Sequence, residues 1–412
     1  MRISLLYLGC KVNQAEIAEM ERQLRGQGHD IVGLDDTPDV CVINTCTVTA
    51  KSDYQSRQLI RRAARTGAKV IATGCYTEMN QQDVGGIDAD IETVSNADKY
   101  QLIKMISSNS FIHEIHDTRQ QRARYLLKVQ DGCNNSCSYC IVWKARGKSR
   151  SISLQEAVSE ATYAANSGYN EIILTGIHLG TYGLDIDTSL SDLIEALLSK
   201  TSIPRIRLSS LEVGEIDERL ARLISSEQRV CPHLHIPLQS GDDSVLKSMG
   251  RGYTSAFFKE RVLWLSELMP DMALGTDVIA GYPTESLEAL DNTLKLISSL
   301  PFSYLHVFPY SIRPNTIAAG LPDKVGDNER KQRADELRNM AASKKSGYMQ
   351  RQIGRSLVLL AERKDSEGRW TGTTENYLKA TIAMAGLDIK RGSLINIEVS
   401  SHDGSMLLAR PA

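Results

Sequence analysis

No apolar run in this 412-residue chain reaches the length of a membrane span. The amino terminus, Met-Arg-Ile-Ser-Leu-Leu-Tyr-Leu-Gly-Cys, lacks the layout of a signal peptide and reads as a strand. With neither export signal nor anchor, the expected compartment is the reducing cytoplasm. There, clustered cysteines are more often metal-binding or catalytic than disulfide-bonded. An excess of one charge is also missing: 48 Lys plus Arg stand against 50 Asp plus Glu, a formal net charge of −2. Such a chain has no global attraction for nucleic acid, so an RNA contact has to come from local basic patches. The histidines show no H-E-x-x-H spacing, and His178, His233, His235 and His306 read as core or site-lining residues. What is present is globular: 42% of residues are hydrophobic, and the length calls for two or three domains.

Cysteine is where the chain becomes specific. Cys133-Asn-Asn-Ser-Cys137-Ser-Tyr-Cys140 places three thiols at C-x-x-x-C-x-x-C spacing. Thiolates this close can converge on one small inorganic centre. A structural zinc site normally closes with four protein ligands, whereas a four-iron cluster held by three cysteines keeps one iron open. Spacing alone leaves both readings standing, zinc needing a fourth ligand from elsewhere.

The first hundred residues alternate strand and helix. Ile3 to Leu8, Val40 to Asn44 and Val70 to Thr73 read as strands of a parallel α/β sheet. A helix carrying Ile17, Met20 and Leu24 on one face follows the first, and one rich in arginine (Arg57, Arg61, Arg62, Arg65) follows the second. Cys10, Cys46 and Cys75 each fall just past a strand's carboxyl end, the edge where open parallel sheets bind ligands. Any one of them alone reads as a small buried hydrophobe, as Cys41 and Cys231 do. Three in equivalent places suggest a second three-thiolate site.

A polar connector covers about 106 to 122. Tyr125 to Val129 then opens a second unit and delivers Cys133. Basic residues flank the motif: Arg119, Arg122, Arg124 and Lys128 before it, Lys144, Arg146, Lys148 and Arg150 after. Ser153-Leu-Gln-Glu156 is a capping box. Further strands at Glu171 to Gly176, Arg205 to Ser209, His233 to Pro237, Met272 to Val278 and Tyr304 to Pro309 alternate with helices. Six strands in about 200 residues predict a partial (β/α) barrel with its site at the strands' carboxyl ends. Gly176, Ser209, Glu212, Gln239, Asp277 and Tyr310 fall in the polar segments there. Gly176 suits close backbone approach to a ligand, and Glu212 an amino or hydroxyl group. Asp327 to Tyr348 reads as a helical spacer. Five short strands after Gly354 predict a small OB-like β-barrel, of a kind that often binds RNA. Trp370 and Tyr377 are its candidate stacking residues, with core packing favoured for Trp370.

Together these segments resemble the methylthiotransferases of the radical S-adenosylmethionine (SAM) superfamily. The likeness runs through Asp131-Gly-Cys-Asn-Asn-Ser-Cys-Ser-Tyr-Cys-Ile-Val, Arg205-Ile-Arg-Leu-Ser-Ser, His233-Leu-His-Ile-Pro-Leu-Gln-Ser-Gly, Thr276-Asp-Val-Ile-Ala-Gly and His306-Val-Phe-Pro-Tyr-Ser. Leu8-Gly-Cys-Lys-Val-Asn-Gln and Asn44-Thr-Cys-Thr-Val-Thr resemble the subgroup acting on N6-threonylcarbamoyladenosine in tRNA. The resemblance implies three domains: an N-terminal one over 1–110, a radical SAM barrel over 120–347 and an RNA-binding TRAM domain over 348–412. It implies two four-iron clusters, one held by Cys133, Cys137 and Cys140 with SAM on its open iron, and an auxiliary one held by Cys10, Cys46 and Cys75. Tyr139 would lie beside the adenine of SAM, with Gly176, Ser209, Glu212 and Gln239 also at that cofactor. Arg57, Arg61, Arg124, Lys144 and Arg146 would meet the RNA, Lys144 or Arg146 facing the threonyl carboxylate.

The implied partners are a tRNA anticodon stem-loop, an external electron donor and a sulfur source, with no membrane. The implied chemistry abstracts hydrogen from carbon 2 of the adenine with a 5′-deoxyadenosyl radical and installs a methylthio group. Trp143-Lys144 departs from the Pro-Tyr usual in the family and alters the pocket wall. Isopentenylated tRNA adenosine or a ribosomal-protein aspartate is the alternative substrate, and a non-catalytic zinc-containing RNA-binding protein the alternative of another class.

Overall fold

The computed structural model describes residues 1–107, 122–322, 324–382 and 389–412. Most of the connector predicted at 106 to 122, with Arg119, lies outside these, as does Ala383.

The amino-terminal sheet has the order β2-β1-β3-β4-β5, all parallel: β1 Arg2–Tyr7, β2 Asp30–Ile31, β3 Val40–Thr45, β4 Lys69–Gly74 and β5 Glu92–Thr93. β3 is central, and all six of its residues are buried, as expected of a parallel strand covered on both faces. The helix α1, Lys11–Gly26, buries Val12, Ile17, Met20 and Leu24. The helix α2, Ala50–Ala64, is capped by Thr49, whose hydroxyl accepts from Ser52 N. The short α3, Cys75–Met79, starts directly at the end of β4. The two-residue edge strands β2 and β5 are too short to leave a periodic signal in sequence.

Six strands then form the predicted partial barrel as two abutting three-stranded sheets, β10-β9-β6 and β11-β12-β13, parallel throughout. They are β6 Tyr125–Lys128, β9 Glu171–Thr175, β10 Arg205–Leu208, β11 His233–His235, β12 Ala273–Ala280 and β13 Tyr304–Pro309, with a small hairpin of β7 Gln130–Asp131 and β8 Arg150–Ser151 beside them. The capping box at Ser153 and Glu156 is formed. Alternation along a strand sends successive side chains to opposite faces. Ile172, Leu174, Ile206, Leu208, Leu234, Leu274 and Val278 join the core under the helices. The opposite parity therefore faces the lumen: Arg205, Arg207, His233, His235, Asp277, Tyr304 and His306.

Helix Asp327–Gln350 leads to a closed barrel in the order β14-β15-β16-β18-β17: β14 Ser356–Lys364, β15 Trp370–Thr374, β16 Lys379–Ile382, β17 Leu394–His402 and β18 Leu407–Pro411. Trp370 is in its core with Leu359, Ile382, Ile397 and Leu407. The turn after β15 closes one end of the partial barrel. Arg205 donates to Val358 O and Thr373 O, and Arg207 to Thr374 O and Glu375 O. Tyr377 stacks on His233 with ring centroids 4.2 Å apart. It is thus part of a domain junction rather than an exposed platform for bases.

Candidate active site

Cys10, Cys46 and Cys75 follow β1, β3 and β4, three neighbours in the sheet, so their positions converge on one edge. Gly9 has φ +90°, and a Cβ there would sit 2.5 Å from Cys46 Sγ. Only glycine lets the Cys10 loop pass so close to Cys46. Gly74, at φ +96°, likewise admits Thr45 O where a Cβ would lie 2.4 Å away. Cys10 is exposed, whereas Cys46 and Cys75 are buried. Burial raises the pKa of both buried thiols; for Cys75 the cations of Arg146 and Lys99 oppose it.

Cys133, Cys137 and Cys140 line the mouth of the partial barrel, all as free thiols. Cys133 Sγ is 3.4 Å from His178 Nδ1, and Arg251 Nη1 donates to Cys137 Sγ at 3.6 Å. Val142 N donates to Cys140 Sγ at 3.4 Å. Burial, with the neighbouring thiols adding to it against that bond, pushes Cys140 up to about 11. Burial works against His178 ionising, but Cys133 and Glu215 more than offset it and lift its pKa to about 10.

Burial disfavours the thiolates of Cys46, Cys75 and Cys140; a cationic centre favours them, because coordination deprotonates a thiol. Adjacent sulfurs on one tetrahedral zinc are about 3.8 Å apart, given bonds of about 2.3 Å. Among the described residues the trio whose ligand atoms all lie within 4.8 Å of one another is His235, Asp277 and His306, and neither cysteine trio meets that limit.

The cofactor-side candidates surround the second trio. Tyr139 packs against Val245, Met249 and Tyr310. The buried Ser209 Oγ, just past β10, has no hydrogen-bond partner, which suits a ligand. Glu212 forms an ion pair with Arg251, so the carboxylate and Cys137 share one guanidinium. Gln239 has φ +67°, rare for a residue with a side chain. The space beside Gly176 is taken by the Gln130 side chain, whose Oε1 would be 2.8 Å from a Cβ there.

A cleft of 230 Å³ runs between Cys140 and the segment that follows Cys46. Val48 and Thr49, beyond Thr47 in the segment that follows Cys46, form one wall; Tyr139, Cys140, Ile141, Gln239, Asp277 and Phe308 form the other. Its rim is pinned where Ala50 N donates to Ser311 Oγ at 3.0 Å and Arg313 Nη1 to Asp53 Oδ2 at 2.6 Å.

The basic residues read as RNA contacts separate into groups. Arg61 is exposed on α2. Arg57 donates to Tyr76 OH at 3.3 Å, and Lys144 is exposed with its Nζ donating to Asn315 O at 2.6 Å. Arg124 and Arg146 require correction. Arg124 pairs with Glu171 and Glu362, joining the partial barrel to the C-terminal one. The Arg146 side chain is fully buried, paired with Glu16 at 2.8 Å and Asp131 at 3.0 Å. It also donates to Asn13 Oδ1, and its Nε to Cys75 Sγ at 3.3 Å. Both guanidiniums find acids inside the protein, where the cost of leaving a charge unpaired is highest. Arg251 and the Glu16–Lys99 pair, 2.7 Å long, carried no sequence signal, because their partners come from distant segments.

Residues 127–297 match the Radical SAM superfamily, and residues 2–95 match an uncharacterized protein family, UPF0004. The chain is 36% identical over 397 residues to the threonylcarbamoyladenosine tRNA methylthiotransferase MtaB of Aquifex aeolicus, covering 92% of this chain and 96% of that one. A tRNA-2-methylthio-N(6)-dimethylallyladenosine synthase from Chlorobium phaeobacteroides is 28% identical, covering 100% of this chain and 97% of that one. Among solved structures, the radical SAM methyltransferase TsrM of Kitasatospora setae superposes with a TM-score of 0.58 at 14% identity, over 77% of each chain, a likeness of fold alone. With this similarity along nearly its whole length, the chain belongs to the MtaB group of the radical SAM methylthiotransferases, enzymes that use SAM and 4Fe-4S clusters.

Proposed function

We propose that this enzyme methylthiolates carbon 2 of N6-threonylcarbamoyladenosine beside the anticodon of tRNA. The observation that carries the reading is the cleft with Val48-Thr49 on one wall and Tyr139-Cys140 on the other: a base entering it has Cys140 on one side and the segment that follows Cys46 on the other. In this reading Cys133, Cys137 and Cys140 hold the SAM-binding cluster and Cys10, Cys46 and Cys75 the auxiliary one, with domains at 1–110, 120–347 and 348–412. When bound, the clusters and SAM supply the radical, the sulfur and the methyl group.

The chain's own residues bind, orient and exclude water. The unpartnered Ser209 Oγ and the Glu212–Arg251 pair offer polar contacts to SAM, beside Tyr139, Gly176 and Gln239. Ile141, Ile279 and Phe308 give the cleft an apolar wall, shielding a reactive carbon from solvent. A loop nucleotide can be splayed into such a cleft, whereas a paired one cannot. Arg57, Arg61 and Lys144 lie on the outer surface for phosphates, so binding should weaken as salt rises. The working compartment is the cytoplasm, with an external electron donor.

The test is turnover of purified, anaerobically reconstituted enzyme with tRNA carrying threonylcarbamoyladenosine, with tRNA lacking the substituent, and with isopentenylated tRNA, read by nucleoside mass spectrometry. The reading predicts product on the first. Equal product on the second removes the modified-base requirement, and product on the third alone transfers the enzyme to the other substrate.

A further inference from the structure

Of the two cations expected at the threonyl carboxylate, Arg146 is buried between Glu16 and Asp131 and Lys144 is exposed, its Nζ donating to Asn315 O, so neither remains inside the protein for an anionic substituent on the base. A different cation does. Lys11, one residue after Cys10, lines a cavity of 280 Å³ with Gln14, Arg122, Arg124, Leu126 and Glu362. Leu126 and Ile173 in that lining belong to β6 and β9, so the cavity is the end of the lumen that α1 covers. Lys11 Nζ lies 5.8 Å from the centre of the Tyr377 ring, the same ring that packs on His233. Of the other cations here, Arg124, Arg205 and Arg207 pair with Glu171, Arg122 donates to Gln14 Oε1 at 3.5 Å and lies over the Tyr7 ring, and Arg391 also lines the cavity. Lys11 has no carboxylate within 4.0 Å among the described residues. The first turn of α1 carries no acidic residue and no side-chain cap, so the helix end adds positive potential.

A half-buried ammonium with no carboxylate in reach is ready to receive an anionic ligand. We propose that Lys11 is a specificity-determining residue, its ammonium receiving the carboxylate of the substituent on N6 of the substrate adenosine inside the lumen. This deepens the proposed function and rests on it. The geometry favours a substituent over a backbone phosphate: Lys11 points at lumen side chains, and phosphates stay at the surface. Carbons 2 and 6 of adenine flank the same ring nitrogen. Holding the group on carbon 6 beside Cys10 therefore orients carbon 2 toward the cleft between the cysteine sites.

The experiment compares tRNA bearing the free threonylcarbamoyl acid with tRNA bearing its neutral methyl ester, on wild type, Lys11→Met and Lys11→Arg, all as reconstituted full-length holoenzyme. The quantity read is the ratio of kcat/KM for acid over ester within one preparation, so a partly lost cluster cancels. Wild type should prefer the acid by roughly 30-fold or more, the scale of a desolvated charge pair. Lys11→Met should bring the ratio close to one, with the ester rate retained, and Lys11→Arg should preserve most of the preference. A wild type indifferent to esterification overturns the proposal while leaving methylthiolation intact. Equal losses on acid and ester in Lys11→Met, with a shallower salt dependence, assign Lys11 to a phosphate and overturn it too. Turnover of tRNA lacking the substituent at the same rate defeats the underlying reading instead, and with it the role of Lys11.

Discussion

Arg146 and Cys75 meet across the junction between the amino-terminal sheet and the partial barrel, the guanidinium Nε donating to Sγ at 3.3 Å. The same guanidinium holds Glu16 from α1 and Asp131 from β7. Burial alone would raise the pKa of both acids, but Lys99, Arg146 and Lys128 hold Glu16 well below the usual carboxylate range, and Arg146 and Lys128 lower Asp131. One arginine therefore positions a cysteine of the first unit relative to the segment that carries Cys133.

Removing it should be severe. Arg146→Met takes the most deeply buried cation from Glu16 and Asp131, which keep Lys99, Lys128 and Arg150, so the loss should approach but not exceed the roughly 3–5 kcal/mol of a fully broken buried pair. Urea denaturation should register that loss, and iron analysis should show fewer irons per chain in whatever fraction folds. A fully stable variant with unchanged iron would mean that the network does not hold the Cys75 site.

Gly9→Ala tests a closer contact. The substitution has to adopt φ +90° and place a carbon against Cys46 Sγ, so a cost above about 1 kcal/mol is expected. Iron should fall by about half while SAM cleavage to 5′-deoxyadenosine continues. Loss of cleavage with retained iron would place Gly9 in the other site's structure.

The junction with the C-terminal barrel should be acid-sensitive through Glu171. Burial opposes its ionisation, but Arg207, Arg205 and Arg124 outweigh it and pull its pKa from 4.5 to about 2. A carboxylate depressed in the folded state contributes stability above its unfolded pKa and loses it as pH falls toward the folded one. That contribution, on the order of 3 kcal/mol, should be complete above about pH 5 and fade between pH 4.5 and 2. Urea denaturation of the cluster-free protein at several pH values should show this slope. Glu171→Gln should be less stable above about pH 5, converge on wild type toward pH 2, and so be flatter in that window.

Much of this was legible in the sequence, and the reasons are physical. The cysteines at the ends of β1, β3 and β4 were readable because strand and turn are local signals, and the barrel strands because a parallel strand needs an apolar run. The fates of Arg124, Arg146 and Tyr377 were not. Each depends on a partner far along the chain: Glu362 for Arg124, Glu16 for Arg146 and His233 for Tyr377. A basic residue beside a motif looks the same in sequence whether it faces solvent or a buried acid.

Tyr377 gives a further check on that junction. Tyr377→Ala removes the ring on His233 and Arg207 and should cost about 2–4 kcal/mol, with earlier proteolytic release of the C-terminal barrel. Tyr377→Phe should stay within about 0.5 kcal/mol of wild type, since the ring rather than the hydroxyl makes these contacts.

The central claim is that two separate three-cysteine sites serve one cleft. The most direct measurement combines iron content, 5′-deoxyadenosine and methylthiolated nucleoside in a single anaerobic reaction of the variant with Cys10, Cys46 and Cys75 all replaced by alanine. The account predicts about half the wild-type iron, continued 5′-deoxyadenosine formation and no methylthio product, because thiolates are needed to hold a cluster. Unchanged iron, or methylthio product from this variant, would contradict it.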